Sequence, residues 1–160
     1  MSDYSIREAR LSDLETLVEF TRQEAREAEG EELELASVRR GVRAGLEDPG
    51  VASYWVAETA DGRIVASTSV ITEWSDWRGA DYWWVQSLFI VPEHRGRRLV
   101  ELLLDRLAQA AREAGALDLR LYAHRSNRRA LAAYRRCGFI TAPYTILTRK
   151  LEEDRRKLES

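Results

Sequence analysis

The stretch from Asp81 to Val91 restricts the possible folds more than any other part of the chain. Eleven residues rich in aromatic and β-branched types run up to Pro92, whose fixed φ and missing N–H stop a strand. Leu99, Leu102, Leu103 and Leu107 then recur at helical spacing. A strand that feeds a helix through one short loop belongs to a layered α/β arrangement, in which the helix packs back on the sheet. That loop, Arg95 to Arg98, has a glycine at position 96 and three arginines.

The flanking sequence fills in the rest of the layers. A short strand is expected around Ile6, and Ser12 and Glu15 have capping-box spacing ahead of Leu14, Leu17, Val18 and Ala25 at helical intervals. Leu35, Val38, Val42 and Leu46 mark a second helix, ended by the turn Asp48, Pro49 and Gly50. Val51 to Glu58 and Arg63 to Thr72 read as antiparallel strands joined at Asp61 and Gly62, and a polar, aromatic connector from Glu73 to Ala80 leads to the long strand. Beyond it, Gly115 ends the leucine helix, Leu117 to Ala123 is a strand, Asn127 opens a short helix and Gly138 closes it before a final strand pair. The order predicts a mixed sheet.

Composition excludes several classes. With 160 residues, 44% hydrophobic and 32% charged, the chain suits one compact domain over residues 1–150, followed by a charged tail at 151–160. The net charge of −2 gives no global field toward nucleic acid or membrane, and neither is expected as a partner. No apolar run approaches the ~20 residues that cross a bilayer, and Met1 to Arg10 has no signal-like apolar stretch, so a cytoplasmic location is expected. Cys137 is the one cysteine, without the neighbours that make a zinc site, and no metal is expected.

Val85 to Phe139 contains VQSLFIVPEHRGRRLVELLLDRL and LRLYAHRSNRRALAAYRRCGF, and this stretch resembles the cofactor-binding half of the GNAT N-acetyltransferases. Asn127, Ala130, Tyr134, Gly138 and Phe139 match the second part of that pattern. The segment EWSDWRGADYWWVQS is similar to a bacterial subgroup with a tryptophan-rich hairpin. The resemblance implies an α+β fold with a mixed, mostly antiparallel central sheet, about four flanking helices, and a splayed strand pair that binds acetyl-CoA. It implies transfer of an acetyl group to a primary amine of a small molecule or peptide by direct attack. A homodimer is compatible with it. The alternative is a non-catalytic acyl-CoA-binding regulatory module.

Residue roles follow from that resemblance. Leu88, Phe89 and Ile90 are expected to pair through their backbone with the peptide-like arm of the cofactor. Arg95, Gly96, Arg97, Arg98, Leu99 and Val100 stand where a helix N-terminus would take the pyrophosphate. The family's two small loop residues fall on Arg98 and Val100, and Arg98 is expected to sit in a helical first turn with its charge outward. Asn127 is expected both to cap its helix and to contact the cofactor, and Tyr134, two turns later, to protonate the departing thiolate.

The acceptor needs a base, because a lysine-like amine of pKa ~10.4 is only about 0.04% neutral near pH 7, a penalty of about 4.6 kcal/mol. Gln86 occupies the strand position where some relatives carry a glutamate, so Glu73, Asp76 and His124 are the candidates. Trp74, Asp76, Trp84, Gln86 and Tyr144 are expected to line the acceptor pocket, with the indoles receiving an ammonium through cation–π contact.

Overall fold

The computed structural model describes residues 2–151. Five strands form one sheet in the order β1-β2-β3-β4-β5: β1 (Tyr4–Glu8), β2 (Ser53–Thr59), β3 (Ile64–Ser75), β4 (Ala80–Ile90) and β5 (Leu119–Leu121). The first four are antiparallel, and β5 lies parallel to β4 after the crossover through a helix. Among the described residues, four α-helices flank the sheet: α1 (Leu14–Glu29), α2 (Leu35–Glu47), α3 (Leu99–Glu113) and α4 (Arg128–Arg136). This is the mixed, mostly antiparallel arrangement expected. No helix among the described residues is long and apolar enough to cross a membrane.

Strand alternation divides the core between two helical layers. On β2, Val56 packs with Leu14, Leu17, Val18 and Val42 of α1 and α2, whereas its neighbour Trp55 packs with Leu104 and Leu107 of α3. On β4, Phe89 meets Phe20 of α1 with ring centroids 5.0 Å apart, while Val85 faces Leu104 and Leu107. Gly45 of α2 is required by packing, since a Cβ there would stand 2.7 Å from the Tyr54 ring of β2.

Three local expectations need correction. Ser12 and Glu15 do not cap α1: a 3₁₀ turn, Leu11–Asp13, precedes the helix, and Asp13 Oδ2 accepts the Arg10 N–H at 2.7 Å. The reason is Arg7, whose guanidinium draws Asp13 inward at 2.8 Å. The polar connector is instead the end of a long hairpin, because β3 continues to Ser75 and only 76–79 form the turn. Finally, residues 139–150 form no strand, and Ile140, Tyr144, Ile146 and Leu147 are exposed. Strand propensity needs an edge to pair with, and β5 offers only three residues. Apart from Leu151, the charged tail lies outside the described residues.

Candidate active site

A single extra residue in β4 stands where the opening begins. Ser69 pairs with Ser87 but Val70 pairs with Val85, so Gln86 bulges out of the ladder. Pairing between β4 and β5 reaches only Val85 and Leu121, and beyond the bulge β4 runs on to Ile90 without β5 beside it. The Val91 N–H donates to Val65 O at 2.9 Å, so by alternation Leu88 and Ile90 turn their peptide groups away from β3, into the gap. Two side chains meet that open edge. The Leu88 N–H donates to Glu24 Oε1 of α1 at 3.0 Å, and Arg95 Nε donates to Ile90 O at 2.9 Å.

Glu24 is the residue that sequence reasoning missed. It is partly buried and its carboxylate is met by the Leu88 N–H and by the like charge of Glu27. Burial pushes its pKa from an ordinary 4.5 up to about 7, against the lowering effect of the Leu88 N–H and with a further rise from Glu27. The signal was present in the periodicity. Leu14, Leu17, Thr21 and Glu24 form the inward stripe of α1, so a carboxylate stands where the pattern calls for an apolar residue.

Tyr134 comes to the same gap from α4. It packs with Val85, Leu104 and Leu107, and its ring stands edge-on to Phe139 at 6.1 Å. Burial, the charge of Glu24 and that of Cys137 raise its phenol above the ordinary 10. Tyr54 is raised by burial and by Glu24 as well. Asn127 caps α4, its Oδ1 accepting the Ala130 N–H at 3.2 Å.

The loop after β4 departs from expectation at Arg98. That residue has φ 61° and ψ 22°, the left-handed region, and not the helical first turn expected. The chain must reverse direction to enter α3, and Gly96, at φ 75°, completes the turn. Arg95 braces the loop against α1, pairing with Glu27 at 2.7 Å. Arg97 and Arg98 border a shallow hollow with Asp3, Glu101 and Asp105.

Several other expected site residues lie along the β3-β4 hairpin. Glu73 pairs with Tyr82 and Trp74 with Asp81, so at ~3.3 Å per residue they stand roughly 20 Å along β4 from Leu88. Asp76 is farther still, in the hairpin turn. Glu73 is engaged by the Trp84 indole, whose Nε1 donates to it at 2.6 Å. These positions cannot serve as the base at Leu88 within one chain. His124 Nδ1 accepts the Ser126 N–H at 3.2 Å, which holds it in the turn after β5. Trp84 does border a polar aromatic patch: it meets Tyr122 at 5.9 Å, and the Arg120 guanidinium lies over Tyr82 at 3.4 Å and reaches Trp84 and Tyr144 at 5.9 Å. Trp83, on the opposite face, joins the core against α3.

Comparison with known proteins agrees with this geometry. Residues 12–139 match the model of the acetyltransferase (GNAT) family. The structure resembles that of a possible acetyltransferase from Clostridium difficile 630, with 30% identity and a TM-score of 0.87, covering 94% of this chain and 99% of that one. A ribosomal-protein-alanine N-acetyltransferase from Brucella melitensis biovar Abortus 2308 shares the fold at 20% identity and a TM-score of 0.76, over 94% of this chain and 100% of the other. So does AAC(6')-Iy in complex with the bisubstrate analog CoA-S-monomethyl-acetylneamine, at 15% identity and a TM-score of 0.74, over 93% and 99% of the two chains. No curated protein gives a significant match.

Proposed function

Because this chain belongs to the acetyltransferase (GNAT) family, we propose that it transfers an acetyl group from acetyl-CoA to a primary amine of a small molecule or peptide. The observation that carries this reading is the open edge of β4, where Leu88 and Ile90 present peptide groups to a gap that Tyr134 also faces. An amide-bearing arm suits such an edge, since it can add to the strand through its own N–H and C=O groups. For the phosphates, the turn through Gly96 and Arg98 leads into the N-terminus of the fifteen-residue α3, which attracts anions. The residues present therefore fit the cofactor.

When bound, acetyl-CoA supplies the acetyl group as a thioester. The Leu88 N–H would hold the acyl carbonyl oxygen, a donor whose hydrogen bond strengthens as negative charge develops, worth about 3 kcal/mol in comparable sites. Tyr134 donates its proton to the leaving sulfur. Its raised pKa keeps the phenol protonated at neutral pH, the state an acid needs. Asn127 offers the NH2 of its capping amide to the cofactor. Leu99 and Val100 contribute backbone N–H groups at the start of α3, while the fixed guanidinium of Arg95 supports the loop. Trp84, Gln86, Tyr144 and the rings around Arg120 form the acceptor side in this reading.

The wider reading is a cytoplasmic enzyme with a single catalytic domain over residues 1–150, of the bacterial subgroup with the tryptophan-rich hairpin, with a homodimer as a possible assembly. The amine-acetylating relatives support an amine as acceptor. The test is acetyl-CoA itself. It should raise the melting temperature, because a ligand of the folded state stabilises that state by mass action, and thiol release should appear with at least one member of an amine panel. Stabilisation without release on any amine would favour the regulatory acyl-CoA-binding module, and no stabilisation at millimolar cofactor would refute the site.

A further inference from the structure

We infer that Glu24 is the base of this site: its carboxylate rests on the Leu88 N–H in the free protein, gives up that donor to the acyl carbonyl, and takes a proton from the acceptor ammonium. This inference rests on the acetyl-transfer reading above. The geometry carries it. Glu24 Oε1 lies 3.0 Å from Leu88 N, on the edge that β5 has left. Any carbonyl oxygen that takes this donor must occupy the place of the carboxylate oxygen. The displaced carboxylate moves by about one hydrogen-bond length, ~3 Å, and stays beside the carbon to be attacked. Glu73 and Asp76, at the far end of the hairpin, have no comparable position.

The surroundings suit a proton acceptor. Glu27 faces Glu24 from the same helix, Tyr54 from β2 and Tyr134 from α4, and the two tyrosines register its charge. Arg95, the nearby cation, is committed to Glu27 and to Ile90 O. Burial and Glu27 set Glu24 at about 7, where it can accept a proton from the acceptor and release it to water.

The step balances as follows. The ammonium gives one proton to Glu24, and the freed nitrogen lone pair forms the C–N bond while the C–S bond breaks. The sulfur leaves as thiolate and takes the Tyr134 proton. The second N–H proton is lost as the amide forms and, through solvent, restores Tyr134. Glu24 returns its proton to bulk water. The sum is amide, free thiol and one proton.

The test compares wild type with Glu24→Gln, which keeps size and an acceptor oxygen but cannot take a proton. In the free wild-type protein the Leu88 amide resonance should titrate with a midpoint near 7, and in Glu24→Gln it should not. The variant should bind acetyl-CoA as tightly as wild type or several-fold tighter. Its kcat should fall by roughly 10²-fold or more, and the acid limb of its pH profile should vanish. A Leu88 amide that does not titrate in wild type, or a variant that keeps both kcat and the acid limb, overturns the inference. If the glutamine variant does not fold, Glu24→Asp serves: a lower kcat with the acid limb retained supports the role, and an unchanged kcat overturns it. Failure of the underlying reading looks different, because wild type itself would then neither bind acetyl-CoA nor release thiol.

Discussion

Asp13 stands at the entrance to α1 and Glu24 eleven residues later, and the protein withdraws both carboxylates from water. Asp13 receives three hydrogen bonds, from Arg7 Nη1 at 2.8 Å, Arg7 Nη2 at 3.1 Å and the Arg10 N–H at 2.7 Å, and Arg7 is held in turn by Glu58 at 2.6 Å. Burial alone would raise Asp13, but Arg7 and the Arg10 N–H outweigh it and hold the carboxyl below the ordinary range. At Glu24 burial wins. The same penalty thus produces a fixed corner at one end of the helix and a proton-exchanging group at the other. What separates them is an arginine in reach. A second unfavourable feature, the left-handed backbone of Arg98, lies in the loop between β4 and α3.

Breaking the first corner should have the largest effect. Asp13→Asn leaves Arg7 with Glu58 alone, and loss of one partner of a buried pair costs about 3 kcal/mol or more, so the melting temperature should drop by roughly 10 °C. The sign of the pH dependence follows from the depressed carboxyl. Its stabilisation is present above the ordinary 3.8 and disappears as pH falls through the lower folded value, so wild type and variant should converge in acid. A variant that melts with wild type at neutral pH would remove the contrast.

Next in size is Tyr134→Phe, which deletes the hydroxyl that registers the Glu24 charge. Single-turnover acetyl transfer should slow by roughly 10²-fold, about 2.7 kcal/mol, with stability and acetyl-CoA affinity little changed. Equal single-turnover rates would deny Tyr134 its role as the acid.

Glu24→Gln sharpens the comparison, because it should stabilise the protein where Asp13→Asn destabilises it. The folded pKa of Glu24 lies above its unfolded value, so its protonated form is the favoured one in the fold, and wild-type stability falls as pH rises from 4.5 through about 7. The full rise corresponds to about 3 kcal/mol, and water access to the side chain brings the expected gain of the glutamine variant near pH 8 to about 2 kcal/mol. Below 4.5 the gain should vanish. Denaturant melts at both ends of this range measure it, and a glutamine variant less stable than wild type in mild alkali would contradict the assignment.

Arg98→Gly gives the smallest effect. Relief of a left-handed non-glycine residue should add about 0.5–1 kcal/mol, or roughly 2 °C, in a thermal melt. No gain would mean that the side chain compensates its backbone through the neighbouring acids.

Much of the gap was legible in the sequence. Pro92 marks where the long strand ends and the leucine repeat marks α3, whereas the Asn127-to-Tyr134 interval sets only their shared helix face, and the family resemblance alone assigns Tyr134 a role. Other parts were hidden for physical reasons. The bulge at Gln86 depends on how two strands meet, and glutamine carries no mark of it. The conformation of Arg98 reflects the turn into α3, which a side-chain type that avoids positive φ conceals. Glu73 and Asp76 are candidate bases by sequence, but an antiparallel hairpin carries sequence neighbours away at over 3 Å per residue. Glu24 was distant in sequence and came close through helix packing.

The bulge also acts as a phase shifter. Side chains on a strand alternate with a period of two, yet Val85 and Leu88, three apart, both pack toward α3. The two halves of β4 therefore keep independent time. The hairpin half can be lengthened or shortened with its partner strand, or its aromatic face redecorated for another acceptor, and the count beyond Gln86 is undisturbed. Loss of the one extra residue would leave Val85 and Leu88 two apart, the ordinary spacing for one face, with the Leu88 N–H still turned to the gap. The hairpin half of β4 and the half that carries Leu88 thus meet at one unpaired residue, Gln86.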